Sequence, residues 1–431
     1  MSAVRLFSAG SNARGQLATG DCEDVHTFTA CSFIDCPPGD LPSDTRKVLQ
    51  IYCGANHTIA LLERVNKSGD VTRELWGCGD GSKGQLGPLH ELINGSTSQF
   101  RPLHLQFPPG NYTLKLIAAG WETSYVVLSS PQQHDVLVSF GADVFGDLGT
   151  GQRKDKAPGQ AHVVEFDLID CVETSQPYTL SIDSLAASTN HVVAVVNVTQ
   201  AKSVHSIVFG WGASRPGQLG NTVKGGRPVP FFTIPHKVFQ ASENTRITAA
   251  AVGAQHTVLL KSSSHVLGVG SNRKGQLTGI QDLHDVTAIE CTWNGTYAIV
   301  FRNEQALVLA TGDNNKGQLG FHQSTTADVA TQSFPRPIQF PFSSQTHKLQ
   351  KLACGSEHVL CLLSVKGSEE SSSLRSEVWG WGWNEHGNLG LDHTSDIHNP
   401  TKIWPISDEQ ANLQVADVWA GCGTSWILCA G

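Results

Sequence analysis

The chain has 431 residues, of which 43 are glycine and only 16% are charged. This composition is typical of a fold rich in turns and strands rather than of a helical or disordered chain. The net charge of −8 and the lack of any Lys/Arg run argue against direct binding to nucleic acid, because phosphate-binding proteins usually carry a basic face or tail.

The eleven cysteines are scattered and form no Cys-x-x-Cys motif. We therefore expect free thiols in a reducing compartment rather than disulfides or a zinc site. The segment Met1–Gly10 lacks the apolar core of a secretory signal. No apolar run approaches the ~18–20 residues that a membrane helix needs. The predicted location is the cytoplasm, with the nucleus as a second compartment and no membrane partner.

Two short motifs alternate along the chain. The first, the Gly box, reads Gly-x-x-x-x-Gly-[Gln/Asn/Asp]-Leu, and its seven copies begin at Gly10, Gly79, Gly141, Gly212, Gly270, Gly312 and Gly382. The second box begins with a small residue and ends in a His or polar residue and usually a Thr. Its seven copies are Cys53–Thr58, Ala119–Thr123, Ala187–His191, Val252–Thr257, Cys291–Thr296, Cys354–His358 and Ala420–Thr424.

A short strand pattern follows each second box, as in Ile59–Leu62, and a polar turn then leads to a strand that enters the next Gly box, as in Ile207–Gly212. Short β patterns with regular turn signals predict an all-β repeat. Neighbouring Gly boxes lie 42 to 71 residues apart, which is enough for the four strands of a propeller blade. The sequence therefore predicts one domain over residues 1–431, a seven-bladed β-propeller of four-stranded blades.

The order of the boxes predicts how the ring closes. The chain starts with an unpaired Gly box and ends with an unpaired second box, so one blade is split between the two ends. We expect Val415–Trp419 and Ser425–Leu428 to complete the blade that Val4–Ser8 begins. Pairing of the N- and C-terminal strands would remove exposed sheet edges.

The Gly box reads as a structural motif. Its glycines allow the positive φ angles of a tight turn, its Leu can pack between blades, and its polar residue can bond the loop backbone. Gly79–Gly84 matches Gly-x-Gly-x-x-Gly, but no strand–turn–helix context supports a phosphate site there.

Four histidines of the second boxes occupy equivalent positions, namely His57, His191, His256 and His358. Equivalent positions in different blades do not converge, so we expect buried histidines that bond neighbouring loops. The chain has no His-Glu-x-x-His and no Gly-x-Ser-x-Gly in a strand–helix context. We therefore expect a protein that is not an enzyme, with no catalytic residue, metal ligand or cofactor.

Tryptophan is concentrated near the end of the chain, where six of the ten occur in the last 53 residues. We expect Trp379 and Trp381 to pack between blades. Trp121 and Trp293 lie at loop tips of second boxes, and Trp383 lies within a Gly box. For these three, a core position and an exposed interface position both stay open, since exposed Trp residues are frequent anchors for a partner.

The paired boxes resemble the regulator-of-chromosome-condensation repeat, whose members are seven-bladed propellers. Finer similarity to the fungal alpha-tubulin-suppressor, or killer-toxin-insensitive, propeller is carried by Cys53–His57, Ala119–Thr123, Cys291–Trp293, Trp379–Asn388 and Gly421–Leu428. That resemblance implies a heterodimer with a small zinc-binding diphthamide-biosynthesis protein. It also implies support for Elongator-dependent modification of wobble uridines in transfer RNA and for diphthamide formation on elongation factor 2.

On this reading the chain is a rigid scaffold that binds its partner by one face. The expected partner-binding residues are Trp121, Glu122, Trp293, Trp383, Glu385, His386 and Trp426. The alternative is a guanine nucleotide exchange factor for a Ran-like small GTPase. A chromatin-docking exchange factor would be expected to carry a basic N-terminal tail, whereas here the first strand pattern is expected within a few residues of Met1.

Overall fold

The computed structural model describes residues 4–88, 95–151, 159–173, 175–201, 203–242, 245–302, 305–321, 335–343, 345–366 and 375–430. The first half of the chain forms strands β1 Val4–Gly10, β2 Val25–Ala30, β3 Thr45–Cys53, β4 His57–Val65, β5 Val71–Asp80, β6 Ser96–Pro102, β7 Thr113–Ala119, β8 Thr123–Ser130, β9 Gln133–Gly141, β10 His162–Val164, β11 Thr179–Ala187, β12 His191–Gln200, β13 Ser203–Ala213, β14 Val223–Lys224 and β15 Arg227–Pro228.

The second half forms strands β16 Phe231–Gln240, β17 Ile247–Val252, β18 His256–Lys261, β19 Val266–Gly270, β20 Val286–Thr292, β21 Gly295–Arg302, β22 Gln305–Gly312, β23 Arg336–Pro337, β24 His347–Cys354, β25 His358–Val365, β26 Arg375–Gly382, β27 Ile397–Trp404, β28 Gln414–Ala420 and β29 Thr424–Ala430. A 3₁₀ turn at Ile280–Asp282 and a one-turn helix, α1, at Asp408–Ala411 complete the described elements.

The strands form seven antiparallel blades. From the innermost strand outward, blades 1 to 7 are β3–β6, β7–β10, β11–β13 with β16, β17–β19, β20–β23, β24–β27, and β28–β29–β1–β2. Each innermost strand contacts the innermost strands of both neighbouring blades, so β3, β7, β11, β17, β20, β24 and β28 enclose a central channel. The seven-bladed propeller predicted from the sequence is confirmed.

The ring closes as predicted, within blade 7. Strand β1 pairs with β29 over seven residues, from Val4 with Ala430 to Gly10 with Thr424. Strand β28 pairs with the other edge of β29. The two ends of the chain therefore hold one sheet together, which protects its edges and couples the ends of the ring.

Blade 4 differs from the other six, because its described sheet has three strands. The 3₁₀ turn at Ile280–Asp282 follows β19 where a fourth strand would lie, and Ile280 is buried in the core. The Gly boxes at Gly270 and Gly312 are the closest pair in the sequence, only 42 residues apart. The short spacing leaves few residues for an outer strand.

The two motifs lie at the same end of every blade. The first glycine of each Gly box pairs with a residue at the start of the strand that follows a second box, as in His57 with Gly79 and His358 with Gly382. We call the side of the ring that carries these loops the box face. The turns between the second and third strands lie on the opposite face.

The Gly box performs the structural tasks predicted from its sequence. Its Leu is buried in six copies, and the exception is Leu277 in the three-stranded blade. Its polar side chain accepts a hydrogen bond from the loop backbone, as Gln16 does from Arg14 N at 2.8 Å and Asp147 does from Phe145 N at 2.9 Å.

The four histidines are buried between blades, as predicted. In each case the ring Nε2 lies within hydrogen-bond distance of a Ser or Thr hydroxyl of the next blade, as with His57 and Ser124 at 2.9 Å and His358 and Ser425 at 3.1 Å. Burial lowers the pKa of His57, His256 and His358 to about 4 and that of His191 to about 3. These histidines are therefore neutral at pH 7 and bond the ring together.

Replacing His358 by Gln is expected to change how stability depends on pH. Between pH 6.5 and 4 the unfolded chain binds a proton at His358 that the folded chain does not, so this residue's contribution is full above pH 6.5 and falls with pH. We expect His358→Gln to cost about 1–3 kcal/mol at pH 7.5 through the altered hydrogen bond. The deficit should shrink by about 2 kcal/mol at pH 5.

Denaturant unfolding of both proteins at several pH values measures this difference. The difference between the two proteins is compared, rather than the free energy of unfolding of either one, because other groups also change that free energy with pH. Burial raises the pKa of Glu290 and Glu357 to about 7, and these acids have the opposite effect to the histidines. The exposed His393→Gln variant serves as the control. A His358→Gln deficit that is constant with pH would contradict the assignment of a neutral, buried histidine.

Candidate partner-binding face

Trp121 and Trp293 meet at the mouth of the central channel. They come from the second boxes of blades 2 and 5, and their ring centroids are 6.0 Å apart at an interplanar angle of 43°. Trp121 is 41% exposed, and Trp293 is half-buried. The structure therefore brings together two of the predicted partner-binding residues and leaves both accessible from the box face.

Backbone hydrogen bonds hold this pair in place. Trp121 N donates to Thr189 O at 3.2 Å, and Trp121 O accepts from Ala55 N at 2.9 Å. In the same way Trp293 bonds the second boxes on either side of it, with its N donating to Ser356 O at 2.7 Å. Aromatic side chains on a fixed backbone lose little conformational entropy on binding, which suits them as anchors.

A groove opens beside this pair on the box face. It has a volume of about 550 Å³ and runs from Trp293 and Trp121 to the Gly box of blade 2. In the turn of that box, the apolar residues Val144 and Phe145 are 65% and 38% exposed. Clusters of exposed apolar side chains are frequent at sites of interaction, which makes this groove a candidate site. We call it the Trp groove.

Two carboxylates line the Trp groove, Glu122 and Asp147. Asp147 occupies the capping position of its Gly box, where five of the other six boxes have Gln and the last has Asn388. Burial raises the pKa of Asp147 to about 6, opposed by hydrogen bonds from the loop backbone. The groove thus combines aromatic faces with acidic groups, and its described lining includes no Lys, Arg or His.

Trp383, Glu385 and His386 form a second cluster on the box face, at the Gly box of blade 6. The ring of His386 lies edge-on to that of Trp383, with centroids 5.3 Å apart, and its Nδ1 is 2.6 Å from the carboxylate of Asp24 in blade 7. Glu385 is paired with Lys316 of blade 5, which lowers the pKa of the Glu385 carboxyl. These side chains already link neighbouring blades, and none of them lines the Trp groove.

The expectation for Trp426 is wrong. This side chain is fully buried, and its ring packs 5.8 Å from that of Phe100 in the core between blades 7 and 1. Strand β29 is the second strand of its blade, covered on both sides by neighbours, so a large apolar side chain there fills the space between blades. Trp381 is likewise fully buried, as predicted, and its Nε1 donates to Gln318 O of blade 5 at 2.9 Å.

The central channel carries thiols and one acid. Cys53, Cys291, Cys354, Cys422 and Glu290 line a cavity of about 230 Å³. Burial raises the pKa of all four thiols, so they remain protonated, whereas a metal ligand or nucleophile must be a thiolate. In the part of the chain that the structure describes, no group of three or more His, Cys, Asp or Glu side chains is arranged to hold a metal ion. Nor does any described helix have the length and apolar character to cross a membrane.

Three features of the box face were not predicted from the sequence. The first two are Val144 and Phe145, which stand where most Gly boxes have polar or basic residues. A comparison of the seven boxes could have identified them from the sequence. The hairpin of β14 and β15 was the third. Gly225 and Gly226 form its tip with φ of 60° and 74°, as a type I′ turn requires. The hairpin leaves the Gly box of blade 3, and its strand residues are exposed.

The register, the closed ring and the recurrent boxes define a repeat propeller with one face built from both loop motifs. The chain belongs to the regulator of chromosome condensation (RCC1) repeat family: residues 5–61, 207–260, 306–362 and 376–428 match the repeat model of that family. These segments cover about half of the chain. Each one runs from the third strand of one blade to the second strand of the next.

Relatives match over nearly the whole chain. The secretion-regulating guanine nucleotide exchange factor of Mus musculus is 26% identical over 99% of this chain and 84% of its own length. An RCC1 repeat-containing protein of Schizosaccharomyces pombe is 24% identical over 98% of both chains. The structure of Prp20p from Saccharomyces cerevisiae is similar with a TM-score of 0.68 at 18% identity, covering 100% of this chain and 92% of that one, and shows the same fold.

Proposed function

We propose that this protein binds a small GTPase through the box face and acts as a guanine nucleotide exchange factor. The observation that supports this most is the similarity, over almost the full length, to a secretion-regulating guanine nucleotide exchange factor. It favours the exchange factor over the scaffold that the finer resemblance implies.

The box face supplies the surface that such a function needs. A standard protein interface buries about 1,600 Å² in total and is centred on aromatic anchors. The Trp groove provides the anchors. The exposed hairpin of β14 and β15 extends the same face. Strand β16 follows this hairpin, and its residues Phe232 and Thr233 pack against Gly146 in the Gly box of blade 2.

A separate observation favours a second candidate function. Trp121 and Trp293 belong to the segments that resemble the killer-toxin-insensitive propeller, and they are the two residues that meet at the channel mouth. We therefore also propose a scaffold for a small zinc-binding diphthamide-biosynthesis protein as the second candidate. It would act without catalysis, as a partner in Elongator-dependent modification of transfer RNA and in diphthamide formation.

Nucleotide release separates the two functions. Purified protein is mixed with a Ran-like GTPase loaded with fluorescent GDP, and the release rate is compared with that of the GTPase alone. We expect acceleration by at least about tenfold, equivalent to about 1.4 kcal/mol in the barrier. In parallel, the zinc protein is tested for complex formation by size-exclusion chromatography.

The two outcomes point in opposite directions. Accelerated release supports the exchange factor. A stoichiometric complex with the zinc protein, with no acceleration for any of a panel of small GTPases, would overturn it and support the scaffold. The GTPase panel with EDTA present, which releases nucleotide by removing Mg²⁺, is the control that each GTPase was loaded.

A further inference from the structure

We propose that the Trp groove is a recognition site for an arginine side chain of a partner protein. The proposal concerns the chemistry of the groove and holds whichever class of partner uses the box face. Its test therefore needs no GTPase.

The aromatic part of the site fits a flat cation. Trp121 and Trp293 are inclined at 43° with ring centroids 6.0 Å apart, and Phe145 lines the same groove. A guanidinium placed over the face of an indole is attracted by the ring quadrupole, and Trp is the best of the aromatic residues in this respect. Arg combines this attraction with planar stacking, which the tetrahedral ammonium of Lys does not.

The charges of the groove favour the same occupant. Glu122 and Asp147 both line it, and neither forms an ion pair with a basic side chain among the described residues. A carboxylate is the natural partner for the fork of N–H donors on a guanidinium. An entering cation would also offset the burial that raises the pKa of Asp147 to about 6. A neutral apolar side chain would leave both acids without a basic partner, and Asp147 would keep only its hydrogen bonds from the loop backbone.

The position of the groove suits a protruding side chain. The exposed side chains of Val144 and Phe145 form apolar walls of the groove together with the tryptophan pair at the channel mouth. The methylene stem of an arginine can pack along these apolar walls while its head reaches the acids. The neighbouring apolar surface can then cover the pair from water, which strengthens a cation–π contact.

Short peptides test the site directly in the full chain. Ac-Gly-Arg-Gly-NH₂ is titrated into ¹⁵N-labelled protein, and the indole N–H signals of Trp121 and Trp293, assigned from Trp121→Phe and Trp293→Phe variants, are followed. The citrulline peptide is the matched control, because it keeps the shape and loses the charge. We expect the arginine peptide to shift both signals and to bind at least about fivefold more tightly than citrulline.

Two variants show whether the acids act. Glu122→Gln and Asp147→Asn should each reduce the preference for arginine over citrulline by about threefold or more. Asp147→Asn keeps a capping residue, since the blade 6 Gly box has Asn388 there. An unchanged indole signal of the buried Trp381, which lies away from both substituted residues, reports that the fold is intact.

The outcomes decide the proposal. Equal binding of arginine and citrulline would overturn it in favour of a neutral apolar anchor. The peptide Ac-Gly-Lys-Gly-NH₂ is titrated in the same way, and tighter binding of this lysine peptide than of the arginine peptide would overturn the choice of arginine. No shift of either indole with any peptide would overturn the site itself. A negative result here together with accelerated GDP release would leave the proposed function standing and remove only this inference.

Discussion

The double substitution Trp121→Ala and Trp293→Ala is expected to weaken partner binding by at least about 100-fold while the ring stays folded. Central aromatic anchors commonly cost about 2 kcal/mol or more each when truncated, and each 1.4 kcal/mol is a tenfold change in affinity. Trp121 is 41% exposed, and the pair lies at the channel mouth rather than between blades, so the cost in stability should be small. Isothermal titration with the partner identified by the release and complex-formation assays measures the effect.

An exposed apolar residue on the other face provides the control for this experiment. Ile169 is 74% exposed in the loop between β10 and β11, which is on the face opposite the boxes. Ile169→Ala should bind the partner like the unsubstituted protein. If the double variant retains the same unfolding midpoint and unchanged affinity, the Trp groove is not the interface. Trp383→Ala, tested alone, then shows whether the blade 6 cluster carries the binding instead.

Gly79→Ala is expected to destabilise the protein by about 3–5 kcal/mol, among the largest effects of a single change. Gly79 has φ of +94°, which costs a residue with a Cβ roughly 1–2 kcal/mol. In addition, a Cβ there would lie 2.3 Å from Asn56 O and 2.8 Å from His57 Cα. The Gly box and the second box are too close at this point to admit a side chain.

Gly69→Ala separates the two causes. Gly69 has nearly the same φ, +90°, but a Cβ there meets nothing within 4 Å. We expect a loss of only about 1–2 kcal/mol in the free energy of unfolding. Chemical denaturation of both variants measures the difference. Equal losses would mean that the positive φ of the turn, rather than close contact between the two boxes, explains the glycine.

The architecture was predictable because it depends on repetition. Seven Gly boxes and seven second boxes out of phase at the two ends are enough to predict seven blades and the pairing of β1 with β29. The spacing of only 42 residues between the Gly boxes at Gly270 and Gly312 indicates a shorter blade. The spacing alone cannot show that Ile280 fills the core in place of a fourth strand.

The candidate partner-binding face was harder to predict, because a tryptophan can be either an exposed anchor or part of the core. The sequence places Trp121 and Trp293 at equivalent loop tips of blades 2 and 5. That their rings lie 6.0 Å apart depends on the closed ring and could not be read from the spacing. Trp426 was expected to be an anchor, but it is part of the core. It lies on β29, the second strand of its blade, and both sides of this strand are covered by neighbouring blades. Glu385 is exposed and His386 is half-buried, and their partners, Lys316 and Asp24, come from distant parts of the chain.

The central claim is that the partner binds the box face at the Trp groove. Hydrogen–deuterium exchange of the full chain, alone and in the complex, tests this most directly. We expect slower exchange in peptides that contain Trp121, Phe145 and Trp293, and unchanged exchange in the Ser262–Ser264 turn on the opposite face. Protection confined to that turn and to the loop around Ile169, with the Trp groove unaffected, would contradict the account.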